Sequence, residues 1–237
     1  MSAPRRARAL VPQRAAGSAL RGRTSTDCPG RRALLGGLAG GVLLGACAGG
    51  PRLDYHLLRD AAAPAPPLPG PRSERGLLLA AGSAVALYDS DRMVYSADGR
   101  SRSFFQFGFW VDRPQQQLLA LAEARLGRAQ AFREVARATA GVRGDLILTL
   151  RLQELYLDTS SEPAQARLAL AAELVDARSR QLLGRELFAT AAPAQPADAA
   201  NFAAAASQAA GALLSELTRW TAAKAAAAVT PTGGPGA

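Results

Sequence analysis

Two stretches in the second half of the chain alternate in hydropathy with a period of two, and they restrict the fold more than anything else in the sequence. From Asp145, residues Leu146, Leu148, Leu150 and Leu152 alternate with Ile147, Thr149, Arg151 and Gln153. Leu168, Leu170, Ala172 and Leu174 alternate in the same way with Arg167, Ala169, Ala171 and Glu173. Successive side chains of a strand point to opposite faces, so each stretch predicts a strand with one buried face. Asp176-Ala177-Arg178-Ser179 turns the chain into a third strand, Gln181–Thr190, and three such strands in succession predict an antiparallel meander. Two prolines in residues 191–197 end the sheet. Asp198 then supplies a helix N-cap, and Phe202, Ala206, Ala209, Leu213, Leu217 and Trp220 recur at helical spacing to cover the buried face.

The first half predicts more of the same sheet and a second helix. Tyr55-His56-Leu57-Leu58 and Gly76–Ala81 are strand candidates. Arg92–Tyr95 and Phe104–Trp110 flank Ala97-Asp98-Gly99-Arg100, whose Asp-Gly chemistry predicts a β-hairpin. Pro114 opens a helix that runs to about Arg128, with Leu118, Leu119, Ala122 and Leu126 on one face, and Phe132–Val135 follows as a short strand. Five prolines in residues 61–71 give an extended linker with polyproline character. The fold class expected is α+β: one domain with a mixed or antiparallel sheet and two main helices, over residues 76–222. Residues 47–75 form a tether and linker with one short strand, and residues 223–237 a flexible tail.

The amino terminus is an address. Arg31-Arg32 precede a run of small and apolar residues from Ala33 to Leu44, followed by Leu44-Gly45-Ala46-Cys47. A basic segment, an apolar segment and small residues before a cleavage point make a secretory signal over residues 1–46. A membrane span over Ala33–Gly50 fits less well, because seven of its eighteen residues are glycine and a span needs about 20 apolar residues. Leu-Gly-Ala-Cys resembles the bacterial lipobox, so cleavage is expected between Ala46 and Cys47, with acylation of the cysteine. Each buried methylene adds about 0.8 kcal/mol, and two or three acyl chains would anchor the chain permanently. Ala48 after that cysteine, in place of the aspartate that retains lipoproteins in the inner membrane, favours the periplasmic face of the outer membrane. Cys28 leaves with the signal, so no disulfide is expected.

The net charge of +9 is concentrated in the same segment, where residues 1–46 hold eight arginines against Asp27 alone. The remainder is close to neutral, which removes the electrostatic case for nucleic-acid binding. A single histidine, His56, excludes a histidine zinc cluster and leaves no Ser-His-Asp or Cys-His pair to assemble. His56 itself reads as a packing or surface residue. Asp89, Asp91 and Asp98 match no calcium-loop spacing. No cofactor is implied, and the expectation is a protein that is not an enzyme. The Phe104–Trp110 segment, with four Phe and one Trp in seven residues, is the candidate contact. As a regular strand it would send Phe105, Phe107 and Phe109 to one side. Two uses stay open for it, core packing and an apolar patch that meets lipid or protein.

The order of these features resembles the ABC-type transport auxiliary lipoprotein family, the lipoprotein partners of bacterial MCE (mammalian cell entry) lipid transport systems. The residues that carry the resemblance are Tyr55-His56-Leu57-Leu58, Asp91-Arg92-Met93-Val94-Tyr95 and Trp110-Val111-Asp112-Arg113-Pro114, after the lipobox and the proline-rich linker. The Asp145–Leu155 strand and the Ala-rich helix ending near Trp220 fit the same layout. The resemblance implies a non-catalytic subunit, lipid-anchored at Cys47, that assists an MCE protein, a permease and an ATPase in moving hydrophobic molecules between membranes. It is compatible with a homo-oligomer. An envelope scaffold of similar fold is the alternative, and a lipoprotein hydrolase is disfavoured because no nucleophile elbow is present.

Overall fold

In the computed structural model, residues 52–62, 67–70 and 72–228 are described; the expected signal, the Ala46–Cys47 junction and the end of the tail lie outside them. The sheet is organised around one long strand, β6 (Leu146–Asp158). Along one edge β6 pairs antiparallel with β7 (Gln165–Asp176), which pairs antiparallel with β8 (Leu182–Pro193). This is the expected meander. The other edge of β6 is shared. Its first residues pair parallel with β2 (Ser73–Ala81), from Leu77↔Leu146 to Ala81↔Leu150. Its last two pair parallel with β3 (Arg92–Ser96), through Tyr95↔Leu157 and Ser96↔Asp158. Beyond β2 lies β5 (Phe132–Arg137), and beyond β3 lie β4 (Ser103–Trp110) and then the edge strand β1 (Asp54–His56). The sheet is therefore mixed, and the ribbon β2–β5 meets the ribbon β3–β4–β1 only on β6.

The gap between those two ribbons is closed by a side chain. Helix α1 (Pro114–Arg128) begins there with Pro114 at its first turn, as expected, and its Gln115 is only 5% exposed. The Gln115 amide accepts from the Leu152 backbone N–H at 2.8 Å and donates to the Gly82 carbonyl, so it replaces the missing strand partner. The neighbouring carbonyls of β6 are taken by Gly82 N–H and Val85 N–H. A buried backbone group left unpaired would cost as much as a lost hydrogen bond, which is why a polar side chain is tolerated at this depth.

Helix α2 (Ala199–Ala227) completes the cover of the sheet, packing on β6, β7 and β8 and against α1. Asp198 caps it as expected, accepting from Asn201 N–H at 2.8 Å. The helix extends five residues past the expected boundary at 222. Phe202, Ala206, Ala209, Leu213 and Leu217 are fully buried in one core with Leu146, Leu148, Leu150 and Leu152, each leucine contributing about 1.5–3 kcal/mol. A β-bulge between Leu152 and Glu154 shifts the inward phase of β6, so that Leu155 and Leu157 continue the buried row. Residues 58–62, which run from the end of the Tyr55–Leu58 strand candidate into the start of the expected linker at residue 61, strap across both helices. Leu58 is buried, Arg59 N–H donates to Ser207 Oγ, and Asp60 forms a bidentate pair with Arg125 of α1 at 2.6 and 2.7 Å.

Two hairpin turns use the same four-residue pattern. Asp98 accepts from the backbone and side chain of Ser101 and from Arg100 N–H, and Asp176 accepts from Ser179 and Arg178 N–H in the same way. The Ser101 and Arg100 backbone donors hold the Asp98 carboxyl down to about 2. Those of Ser179 lower Asp176, and the Ser160 hydroxyl with Arg167 lowers Asp158. Each folded carboxyl thus titrates below its unfolded value of about 3.9, and the unfolded chain takes up protons first as pH falls. The stabilisation is complete above about pH 5 and is lost progressively as pH falls below about 4. Thermal unfolding followed across that range should show the decline, and Asp158→Asn combined with Asp176→Asn should flatten it; an unchanged slope would remove the assignment.

Candidate docking surface

Strand β4 carries the aromatic segment, and its two faces do different work. Arg92 pairs with Phe109 and Val94 with Phe104, so two steps along β3 oppose five along β4. The irregularity breaks the period of two between Phe105 and Gly108. Phe105 stacks on Phe202 of α2, with ring centroids 6.1 Å apart, and meets Tyr95 edge-on at 5.2 Å. Trp110 is fully buried and packs edge-on against the same Phe202 at 5.5 Å. Gly108 sits where a Cβ would fall 3.2 Å from Met93 Sδ and closer still to Ala199 Cβ, so the strand approaches α2 only because this residue has no side chain. Phe105, Gly108 and Trp110 therefore share the helical side. The expectation that Phe105, Phe107 and Phe109 lie on one face is corrected: Phe105 belongs to the core, and Phe107 and Phe109 point away from it.

The outward face continues onto β1. Parallel pairing sets Tyr55 beside Phe109, with ring centroids 5.7 Å apart, and His56 beside Trp110. Val111 N–H donates to the His56 carbonyl and carries the pairing one residue further. On β1 the period of two is kept. His56 and Leu58 turn inward, His56 as a packing residue, while Leu53, Tyr55 and Leu57 face solvent. Tyr55 is 59% exposed and Phe107 37%. Together with Phe109 and Val111 these side chains form one stripe. The stripe holds five of the nine large hydrophobic side chains exposed among the described residues; the other four, Val85, Val142, Leu182 and Leu187, are dispersed. Single exposed hydrophobes are ordinary, whereas a contiguous group is a candidate contact surface. The contribution of β1 was missed in the sequence, although Leu53, Tyr55 and Leu57 already alternate there.

The charge around the stripe is balanced. Arg52, Arg92 and Arg113 are offset in the same segments by Asp54, Asp91 and Asp112, all exposed. Arg92 also lies over the Phe104 ring at 3.9 Å and covers it from the outside. Among the described residues no group of three His, Cys, Asp or Glu is placed to hold a metal ion, and no helix is long and apolar enough to cross a membrane. The different settings of the phenylalanines have a direct consequence. Phe105→Ser should cost about 2–4 kcal/mol by opening the contact with Phe202, whereas Phe107→Ser should change stability by no more than about 0.5 kcal/mol. Denaturant unfolding of the two variants tests this, and equal effects would contradict the split.

Both helices cover one side of a mixed sheet, and the β1–β4 edge of that sheet is apolar. The family model described as the ABC-type transport auxiliary lipoprotein component matches residues 55–218. The chain belongs to this family, and it is a non-catalytic auxiliary lipoprotein of ABC-type transport. Its fold is similar to that of protein XCC0632 from Xanthomonas campestris, with a TM-score of 0.67 at 21% identity, covering 74% of this chain and 98% of that one. A second solved structure, of an uncharacterized protein, gives a TM-score of 0.56 at 14% identity and covers 72% of this chain and 99% of that one. No curated protein matches the chain.

Proposed function

We propose that this chain is the lipoprotein subunit of an MCE-type ABC transport system that moves phospholipid or other hydrophobic molecules between the inner and outer membranes. In this reading residues 1–46 are removed as a signal, Cys47 is acylated, and the domain sits on the periplasmic face of the outer membrane. It assists an MCE protein with its permease and ATPase. The observation that carries the reading is the family match over residues 55–218, directly after the Leu44-Gly45-Ala46-Cys47 lipobox. The Tyr55–Leu58, Asp91–Tyr95 and Trp110–Pro114 motifs support the MCE assignment. All three lie at the β1–β3–β4 end of the sheet.

Affinity purification of the tagged full chain from its own cell envelope, with mass spectrometry of the recovered proteins, tests the assignment. An MCE protein recovered with its permease and ATPase is the expected result. Recovery of peptidoglycan-bound or surface machinery alone would favour the scaffold reading instead. Cys47→Ala should leave an unprocessed precursor that takes up no fatty-acid label; label retained by the variant would overturn the anchor.

A further inference from the structure

We propose that the stripe formed by Leu53, Tyr55, Leu57, Phe107, Phe109 and Val111 rests on the lipid surface to which the chain is anchored, so that the domain lies on the bilayer in one orientation. The proposal rests on acylation of Cys47. Leu53 is only six residues beyond Cys47 in the chain. A fully extended chain covers about 3.5 Å per residue, so Leu53 stays within about 21 Å of the acylated end whatever the path between them. That distance is less than the thickness of a bilayer, about 40 Å with its headgroups. The short leash ends on the segment 53–57, around β1, that carries half of the stripe.

The chemistry of the stripe suits an interface with lipid. Tyr55 packs against Phe109 with the rings tilted and their centroids 5.7 Å apart, and is itself mostly exposed, which presents an apolar ring with a polar tip, the kind of side chain that settles at headgroup level. The aliphatic Leu53, Leu57 and Val111 flank it on the same side. The rim carries arginines and aspartates in equal number, so the attraction is apolar and does not require acidic lipid. Tethering makes the contact intramolecular. A surface of this size, too weak to recruit a free protein, is occupied when the leash holds it at high effective concentration.

The full-length lipidated protein in phosphatidylcholine vesicles provides the test. An environment-sensitive fluorophore is placed on Leu57→Cys and, separately, on Val111→Cys, with Leu187→Cys as the reference; Leu187 is also strongly exposed but lies on β8, away from the stripe. Intact mass confirms acylation of Cys47 in each sample, and a protein without acyl chains would refute the anchor itself rather than the seating of the stripe. The expected result is a blue-shifted emission at Leu57→Cys and Val111→Cys, quenched several-fold more by doxyl lipids than at Leu187→Cys. The shift should be insensitive to added salt and to acidic lipid. An acylated protein with no difference among the three positions would overturn the proposal. So would a shift that appears only when transport subunits are added, or one that grows with protein density at fixed lipid, because either assigns the stripe to a protein partner or a second copy. Slower backbone hydrogen exchange of residues 53–57 on vesicles, in the unsubstituted protein, is the matching expectation; unchanged exchange there counts against it.

Discussion

Gln115→Leu is expected to be among the most damaging single substitutions in the domain, although leucine matches glutamine in size and suits a buried site. The change leaves Leu152 N–H and the Gly82 carbonyl without partners in the seam between β2 and β3. Each buried group orphaned in this way costs about 1–3 kcal/mol, so the loss should be about 2–6 kcal/mol. For a domain of this size 1 kcal/mol corresponds to about 2–4 °C, and the melting temperature should fall by about 5–20 °C. Gln116→Leu, one residue on and exposed, is the comparison, with a change of no more than about 0.5 kcal/mol. Calorimetry of the two variants decides the matter. If Gln115→Leu melts with the wild type, the amide is not what holds the seam.

The second large effect concerns the strap. Arg125 is 3% exposed and Asp60 8%, and the Arg125 guanidinium also donates to Ser215 Oγ of α2 at 2.8 Å. One ion pair thus joins the strap, α1 and α2. Arg125→Met leaves the Asp60 carboxylate buried, with the exposed Arg128 at 3.4 Å as its one remaining cation and the Ala62 N–H at 3.3 Å as its backbone donor among the described residues. Removing one partner of a buried pair costs about 3–5 kcal/mol, because the remaining charge is left unpaired. The double variant Asp60→Leu with Arg125→Met should recover most of that loss, since two apolar residues desolvate at no such cost. Additive effects of the two changes would show that the pair is not coupled, and would end this account.

The parts of the fold legible in the sequence were those set by periodicity. The Leu146–Leu152 and Leu168–Leu174 rows, the Asp98 hairpin, the Pro114 helix start and the Asp198 cap depend on neighbours a few residues apart, and all are found where the pattern put them. What could not be read depends on contacts distant in sequence. Gln115 looks like an ordinary first-turn residue until β2 and β3 are seen to leave a space beside Leu152. Asp60 and Arg125 are 65 positions apart, and nothing local to either announces burial. The candidate contact surface was half legible. An aromatic strand was visible, but the irregularity opposite Arg92–Val94 is a property of the pairing with β3, and it decides that Phe105 faces the helices while Phe107 does not. Tyr55 was recognised as part of a strand, and its outward face followed only once β4 was found beside it.

The shared edge of β6 also bears on the order of events in time. Until residue 146 is available, the ribbon formed by β2 and β5 has no strand joining it to the ribbon formed by β1, β4 and β3. A chain delivered from its amino terminus therefore holds the strands between residues 54 and 137 as two separate ribbons. Assembly waits for β6, whose arrival joins strands some 70 residues apart, as in Leu77↔Leu146, and such distant pairing is the slow part of forming a sheet. Late closure is therefore built into the strand order. It also leaves the unpaired edges of β2 and β3 open to wrong partners for as long as delivery lasts.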